Sequence, residues 1–490
     1  MSTQYEAVIG LEVHAQLSTQ SKMFCGCSAA FGGKPNTHVC PVCLGLPGAL
    51  PVVNARAVEY AVRLGLATEC TIAHESIFAR KNYFYPDCPK NYQISQFDTP
   101  LCENGRLSIQ NDEKQIRIHR IHLEEDAGKL IHVDGADHSL VDMNRSGVPL
   151  VEIVSEPDIR AAEEASEYLQ KLRSLVRYLG ICDGNMEEGS LRCDVNLSVR
   201  DRKSTRLNLS VRKKGTKELG VKTEVKNLNS FKQVEQAIEF EFERQCKLLE
   251  SGGRVTQDTL LWDPAAKRAT VMRSKEEAHD YRYFPEPDLR ALRVSKDQID
   301  RVRGELPELP DAKQKRFVSQ YGIPAYDAHV LTGSDDIADY YEAVVAAGAD
   351  AKSASNWIMG EVMRELNERH IDVGAFAIAA PNLAELVTLQ ASGKVNSSTA
   401  KDVFKDMLAS GKGAAAIVKE KGLEQVSDDT AIEKEAIAVL GENPDEVTRY
   451  LAGKEQLLQF FVGQLMKRTR GKANAAVATP IIKRLLDQRR

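Results

Sequence analysis

Near the start of the chain, Val8-Ile9-Gly10-Leu11-Glu12-Val13-His14-Ala15-Gln16-Leu17 carries a polar residue at every second position from Glu12 to Gln16. Extended backbone sends alternate side chains to opposite faces, so Glu12, His14 and Gln16 share a face at steps of roughly 6.6 Å while Val13, Ala15 and Leu17 face a core. Taken alone, this is most simply an edge strand with one wetted face. The pattern recurs, however. Arg117 to Leu123 alternates and runs into Glu124, Glu125 and Asp126 before the turn residue Gly128. Leu150 to Ser155 sets Glu152 in an apolar strand, and Leu191 to Arg200 puts Arg192, Asp194, Asn196, Ser198 and Arg200 opposite Cys193, Val195 and Leu197. In Val221 to Lys226, Glu224 lies between two lysines. Several strands with acid-bearing faces predict one shared polar cleft. Carboxylates with a single imidazole are oxygen-rich ligands that suit magnesium or manganese better than zinc, and magnesium commonly brings nucleotide phosphates.

Helical periodicity is sparse in this first part. Arg160 to Leu179 repeats Ala165, Leu169, Leu172, Val176 and Leu179 at helical spacing before Gly180. Ser230 with Gln233 predicts a capping box that opens a helix lined by Phe231, Val234, Ile238 and Phe242. The first part therefore reads as α+β. Prolines 285, 287, 307, 310 and 324 mark a transition, and from about residue 296 the text is helix, short break, helix. Expected helices include Asp336 to Ala347, Ser355 to Asn367, Leu383 to Leu389 and Thr399 to Leu408. Asn443-Pro444 predicts a cap with proline at the first helical position, and Ser397-Ser398 reads as N-capping. The glycine-rich Ser410 to Gly413 predicts a further boundary.

Composition bounds the rest. At 490 residues the chain is long enough for about three domains, and a net charge of −5 gives no global nucleic-acid signature. Residues 461–490 nevertheless carry eight basic side chains against the single acid Asp487, with Lys467, Arg468, Arg470 and Lys472 clustered as candidates for RNA phosphate; a helix-end complement and a solvated tail explain them equally. Arg200 to Lys226 is also basic, and Arg212, Lys213 and Lys214 before Gly215 read as a solvated hairpin loop. No leader peptide and no apolar run able to span a bilayer is evident, so a soluble, cytoplasmic protein with no membrane association is expected.

Four of the ten cysteines are placed tellingly: Cys25, Cys27, Cys40 and Cys43 form two close pairs separated by 12 residues. Such pairs can close tetrahedrally on a structural zinc ion with no position left for catalytic water. Disulfides do not suit a chain without an export signal, and spacing leaves an iron–sulfur cluster open. There is no G-x-x-x-x-G-K-[ST] loop, since Leu123 stands where the first glycine preceding Gly128-Lys129 is required. Any ATP is bound without one. Arg80 to Asp87 (RKNYFYPD), with Lys81, Asn82 and Tyr83, could supply a cation to phosphate, although a packed loop accounts for its aromatics equally well.

Gly10 to His14, Cys40 to Gly48 (CPVCLGLPG), Arg80 to Asp87, Tyr92 to Gln96 (YQISQ), His122 to Lys129 (HLEEDAGK), Glu187 to Asn196 (EEGSLRCDVN), Lys226 to Ser230 (KNLNS) and Asp280 to Asp288 (DYRYFPEPD) together resemble the B-subunit family of the aspartyl/glutamyl-tRNA amidotransferases. The resemblance spans nearly the whole chain, and the large insertion of the related E subunits is not evident. It implies an α+β cradle-shaped catalytic domain over residues 1–295, an all-α helical domain over 296–410 and a small all-α YqeY-like tail over 411–490 that touches tRNA. It implies kinase-like chemistry: ATP phosphorylates the side-chain carboxylate of Glu or Asp misacylated on tRNA(Gln) or tRNA(Asn), and ammonia displaces the phosphate. The implied partners are an amidase, the A subunit, which supplies ammonia, and a small linking protein, the C subunit. By position, catalysis falls to Glu12, His14, Lys81, Glu125 and Glu224, and Mg2+ to Glu12, His14, Glu125 and Glu152. ATP or substrate falls to Lys81, Asn82, Tyr83, Ser190, Arg192 and Asp194. The four cysteines match the zinc-bearing members. A non-catalytic tRNA-binding scaffold and a stand-alone metal hydrolase are the rival readings.

Overall fold

A computed structural model describes residues 4–110, 112–132, 135–201, 219–273, 281–423, 429–469, 473 and 475–489. Arg470 and Lys472, and the expected hairpin loop at Arg212, Lys213 and Lys214, lie outside the described residues. The chain divides into two compact units, Met1–Leu309 and Pro310–Arg490.

The first unit is built on a nine-stranded sheet. Its strands in chain order are β1 (Tyr5–Gln16), β2 (Thr71–Ile72), β3 (Cys102–Ile109), β4 (Lys114–Glu125), β5 (Pro149–Ser155), β6 (Leu191–Asp201), β7 (Thr223–Leu228), β8 (Thr259–Asp263) and β9 (Arg268–Arg273). Their spatial order is β9-β8-β7-β6-β1-β5-β4-β3-β2, and every neighbouring pair is antiparallel except β7 and β8. The strand carrying Glu12, His14 and Gln16 is thus central rather than an edge, with β6 on one side and β5 on the other.

Period-two patterning then fixes what each face does. Val13, Ala15, Ile121, Leu123, Val151, Ile153, Cys193, Val195 and Val225 join a buried core with helices α1 (Ala55–Ala67), α2 (Ala162–Tyr178) and α3 (Phe231–Glu250). In α2 the expected stripe Ala165, Leu169, Leu172 and Val176 is buried, Glu163 and Glu164 complement the amino-terminal dipole, and Gly180 leaves the helix at φ +63°. In α3 Ser230 accepts from the Gln233 amide at 3.2 Å, while the Gln233 side chain reaches back to the Asn229 amide at 3.0 Å. The box expected there therefore closes one residue early.

Strand β4 does not alternate strictly. Against β5, Val154 pairs with Arg120 and Ser155 with Ile118, leaving His119 as an extra residue. Ile116 and Ile118 are buried before this bulge and Ile121 and Leu123 after it. The adjacent polar pair His119-Arg120 is the sequence mark of that step. A small sheet joins Phe284–Pro285, Ala79–Asn82 and Tyr92–Ser95. Arg80 locks it, donating to Glu286 at 2.7 and 2.8 Å and lying 4.2 Å from the centre of the Tyr92 ring.

The boundary expected at residue 296 moves. Helix Lys296–Gly304 buries Val302 in the first core, which Ile299, Leu306 and Leu309 also join. The second unit is helical and has two cores. The first takes in Phe317, Tyr341, Leu383, Phe404, Ile417 and Val418, and the second Ile432, Leu440, Phe461, Ile482 and Leu486. Helix Ala414–Lys421 belongs to the earlier of these, so the boundary expected at residue 410 also moves beyond it. The helix expected over Ser355 to Asn367 is interrupted by a π-turn at Ile358–Val362, and Asn396, rather than Ser397 or Ser398, caps the next helix by accepting from the Thr399 amide at 2.8 Å. Asn443 stands at the expected cap position but makes no capping bond; its amide donates to the Val439 carbonyl at 2.8 Å. Among the described residues, no helix is long and apolar enough to cross a membrane.

Candidate active site

Strand register brings the polar positions together on the face opposite the helices. His14 lies across from Glu152 on one side and Arg192 on the other, and Glu152 lies across from His122. The His14 Nε2 atom is 3.4 Å from Glu152 and 3.8 Å from Glu124; the His122 Nε2 atom is 3.5 Å from Glu152 and 3.8 Å from Glu124. Two imidazoles thus interleave with two buried carboxylates. Burial alone would neutralise these acids, but hydrogen bonding from His122 and the charges of Lys81 and His14 hold Glu124 below its usual range. His122, His14 and Lys81 likewise outweigh burial at Glu152, which is held well below the carboxylate range. Burial pulls His14 down, and the hydrogen bond and charge of Glu152, with Glu124, more than reverse it.

Lys81 reaches this cluster from the small sheet. Burial disfavours its charge, yet Glu124 and Glu152 hold its pKa up at about 12. Its ammonium lies 5.1 Å from the centre of the Tyr281 ring, and among the described residues it closes no ion pair.

A second group adjoins the first. Glu12, Asp194 and Glu224 bring ligand atoms within 4.8 Å of one another, as do His14, Glu124 and Glu152. Lys226 bridges Asp194 at 2.6 Å and Glu224 at 2.9 Å, and the Asn196 amide donates to Glu12 at 2.9 Å. Burial, then repulsion from Glu152 and Glu224, raises the Glu12 carboxyl, whereas at Glu224 Lys226 overcomes burial and lowers it. Both groups are carboxylate-rich and fit a hard divalent cation such as magnesium.

Over residues 7–300 the chain matches the family model described as the GatB/GatE catalytic domain, and over residues 339–486 the one described as the GatB domain. It is 55% identical over 485 residues to the B subunit of the aspartyl/glutamyl-tRNA(Asn/Gln) amidotransferase of Chlorobium phaeobacteroides (strain BS1), covering 99% of both chains. Proteins of the same name from Thermodesulfovibrio yellowstonii and Moorella thermoacetica are each 54% identical over 487 residues, covering 99% of this chain and all of theirs. The chain belongs to the GatB family.

Not every expected residue of this GatB chain stands at the cluster. Glu125 follows Glu124 directly, so the pleat sends it to the opposite side. There it pairs with Lys90 at 2.7 Å, accepts from the Ile94 amide at 2.9 Å and lines a cavity with Lys22, Cys25, Cys43 and Tyr92. Glu124 and His122 occupy the cluster instead, on the face opposite the buried Ile121 and Leu123, and the register against β5 sets His122 across from Glu152. Arg192 is half-buried and donates to Asp126 at 2.8 Å, and Gln16 donates to the same carboxylate at 2.7 Å. Ser190 hydrogen-bonds Asp183 at 3.3 Å at the foot of β6. Asn82 donates to the carbonyls of Tyr281 and Arg282 at 3.2 and 2.8 Å, tying that segment beside Lys81, and the half-buried Tyr83 stands near Cys88 and Asp126. Tyr283, which lies in the Asp280 to Asp288 segment but carries no expected role there, feels Lys81, Glu124 and Glu152.

Cys25, Cys27, Cys40 and Cys43 place their sulfurs within 4.8 Å of one another. The Cys40 and Cys43 sulfurs are 3.9 Å apart, close to the roughly 3.8 Å that tetrahedral zinc–thiolate bonds of about 2.3 Å require. The donor set fits zinc. Hydrogen bonding from Cys25, aided by the buried Lys22 ammonium 3.6 Å away, holds the Cys43 thiol down at about 4. In the tail, Lys467 is exposed, but Arg468 is engaged by Glu435 at 2.7 Å and Glu442 at 2.5 Å.

Proposed function

We propose that this chain is the kinase-like catalytic subunit of a glutamine-dependent ligase that amidates misacylated Glu-tRNA(Gln), Asp-tRNA(Asn) or both. The observation that carries this reading is Lys81, charged and without an ion-pair partner among the described residues, facing the interleaved His14, Glu124, His122 and Glu152. A carboxylate resists attack by ammonia until one of its oxygens becomes part of a leaving group. In the proposed sequence the substrate's side-chain carboxylate oxygen attacks the γ-phosphorus of ATP and releases ADP. Ammonia then attacks the acyl carbon, inorganic phosphate departs with the carbon–oxygen bond, and the amide remains.

Each residue has work in this scheme. Lys81 binds the transferring phosphoryl oxygens and offsets their charge. Glu12, whose carboxyl is raised, takes the proton that ammonia sheds on forming the amide. His14, Glu124 and Glu152 would hold magnesium, which when bound polarises phosphoryl oxygens. The four cysteines would hold a structural zinc ion. An amidase with a small linking protein supplies ammonia, and the helical tail contacts tRNA.

The test is reconstitution with those two proteins, offering each misacylated tRNA with ATP, magnesium and glutamine and following amide formation. Lys81→Ala is expected to lower kcat/KM by about 100-fold or more with glutaminase activity retained. Full amide formation by that variant would support the scaffold reading instead, and turnover of a substrate by the chain alone would support the hydrolase.

A further inference from the structure

Phe97 follows Ser95 by two residues, and Ser95 donates to Glu124 at 3.2 Å, so the end of the small sheet is tied to the carboxylate cluster. Phe97 is 40% exposed and stacks on Tyr283 with ring centres 4.0 Å apart and planes 8° from parallel. Only one face of Phe97 is used by that contact. Tyr283 in turn has its phenol in the field of Lys81, Glu124 and Glu152. The outer ring is therefore one stacking step from the reacting groups. Arg120, on the same face of β4 as His122 and Glu124, holds its guanidinium 5.9 Å from the centre of the Phe97 ring. Its Nε atom is buried without a hydrogen-bond partner, and among the described residues Arg120 closes no ion pair, although Glu103 lies across from it on β3. An aromatic face beside an unpaired guanidinium matches a nucleotide: every base has a π-face to stack, and a phosphodiester oxygen suits the arginine.

We propose that Phe97, backed by Tyr283, stacks the unpaired terminal base at the 3′ end of the RNA substrate, and that Arg120 binds the phosphate preceding that nucleotide. This rests on the amidotransferase reading. Two adenine-bearing substrates enter such a site, and chain length separates them. The reacting carboxylate hangs from the terminal ribose by one ester and a short side chain, which brings that base close to the cluster. The base of ATP lies farther from the transferring phosphorus, beyond a ribose and two more phosphates. The platform lies close, tied to the cluster through Ser95, and Phe97 remains 40% exposed.

In the reconstituted enzyme, Phe97→Ala is expected to raise KM for misacylated tRNA about tenfold, with KM for ATP and kcat within about twofold of the parent and Phe97→Tyr restoring the parent value. Arg120→Gln should weaken the same KM and reduce its salt dependence. A binding readout needs no turnover: Trp262 and Trp357 are buried, so Phe97→Trp adds an exposed indole whose fluorescence the RNA trinucleotide CCA should quench at lower concentration than ATP. Quenching by ATP first, or a rise in KM for ATP alone, would give the platform to the other substrate and overturn the proposal. Unchanged KM values with no quenching would remove it altogether. Loss of the amidotransferase reading is distinguishable, because it shows as no amide formation by the reconstituted parent chain on either misacylated tRNA.

Discussion

Asp126 shows how this fold keeps acids ionised out of water. It is 5% exposed and its burial favours the neutral acid, yet Arg192 and Arg145, with the Gln16 amide, hold its pKa below the ordinary value. A carboxylate depressed on folding contributes stability that is present above its unfolded pKa of about 3.9 and is lost as pH falls through the folded value. Asp126→Asn should therefore cost about 3 kcal/mol at pH 7, where it removes the buried counter-charge of Arg192, and less at about pH 3, which lies below the unfolded value. Urea unfolding of the first unit, followed through Trp262, checks this at both pH values; equal losses would contradict it. Lys81 obeys the same electrostatics with the opposite sign, since carboxylates it does not touch keep it charged.

At the scale of elements, what could be read in the sequence was which residues share a face. Glu12 and His14, Arg192 and Asp194, and Glu152 all follow from alternation alone. Glu124 follows from it as well, since the apolar Ile121 and Leu123 put His122 and Glu124 on the polar face; Glu125 rests on the resemblance and not on the strand's own pattern. Tyr283 does not follow from alternation, because it reaches Lys81 only where Phe284 and Pro285 pair with Arg80 and Ala79. That pairing depends on Arg80 and the buried Glu286 carboxylate. Glu286→Ala should loosen the strand, lower the thermal midpoint of the first unit and expose the peptide bond after Arg282 to trypsin. Unchanged cleavage there, read by mass spectrometry, would show that backbone pairing suffices. Helix Lys296–Gly304 was legible as a helix but not as part of the first unit, because amphipathic spacing says that a face is buried and not against which core.

At the scale of the molecule, the two moved boundaries have direct tests. A chain ending at residue 309 should unfold cooperatively, whereas one ending at residue 295 loses Val302 and Leu309 from its core and should melt earlier. In the tail, a truncation after Leu423 spares the middle core, in which Ile417 and Val418 are buried, and removes the last one. It should weaken tRNA binding and flatten its dependence on salt by roughly 0.7–0.9 for each phosphate no longer neutralised. Unchanged affinity and slope in a filter-binding titration would take tRNA binding away from the tail. The sheet of the first unit carries the broader consequence. Residues 13, 15, 121, 123, 151, 153, 193, 195 and 225 are committed to the helices, while residues 12, 14, 122, 124, 152, 194, 196, 224 and 226 face the other way. Heritable change at the second set can retune reactivity while the first set preserves the architecture, so altered specificity and lost foldedness should arise from different codons of the same strands.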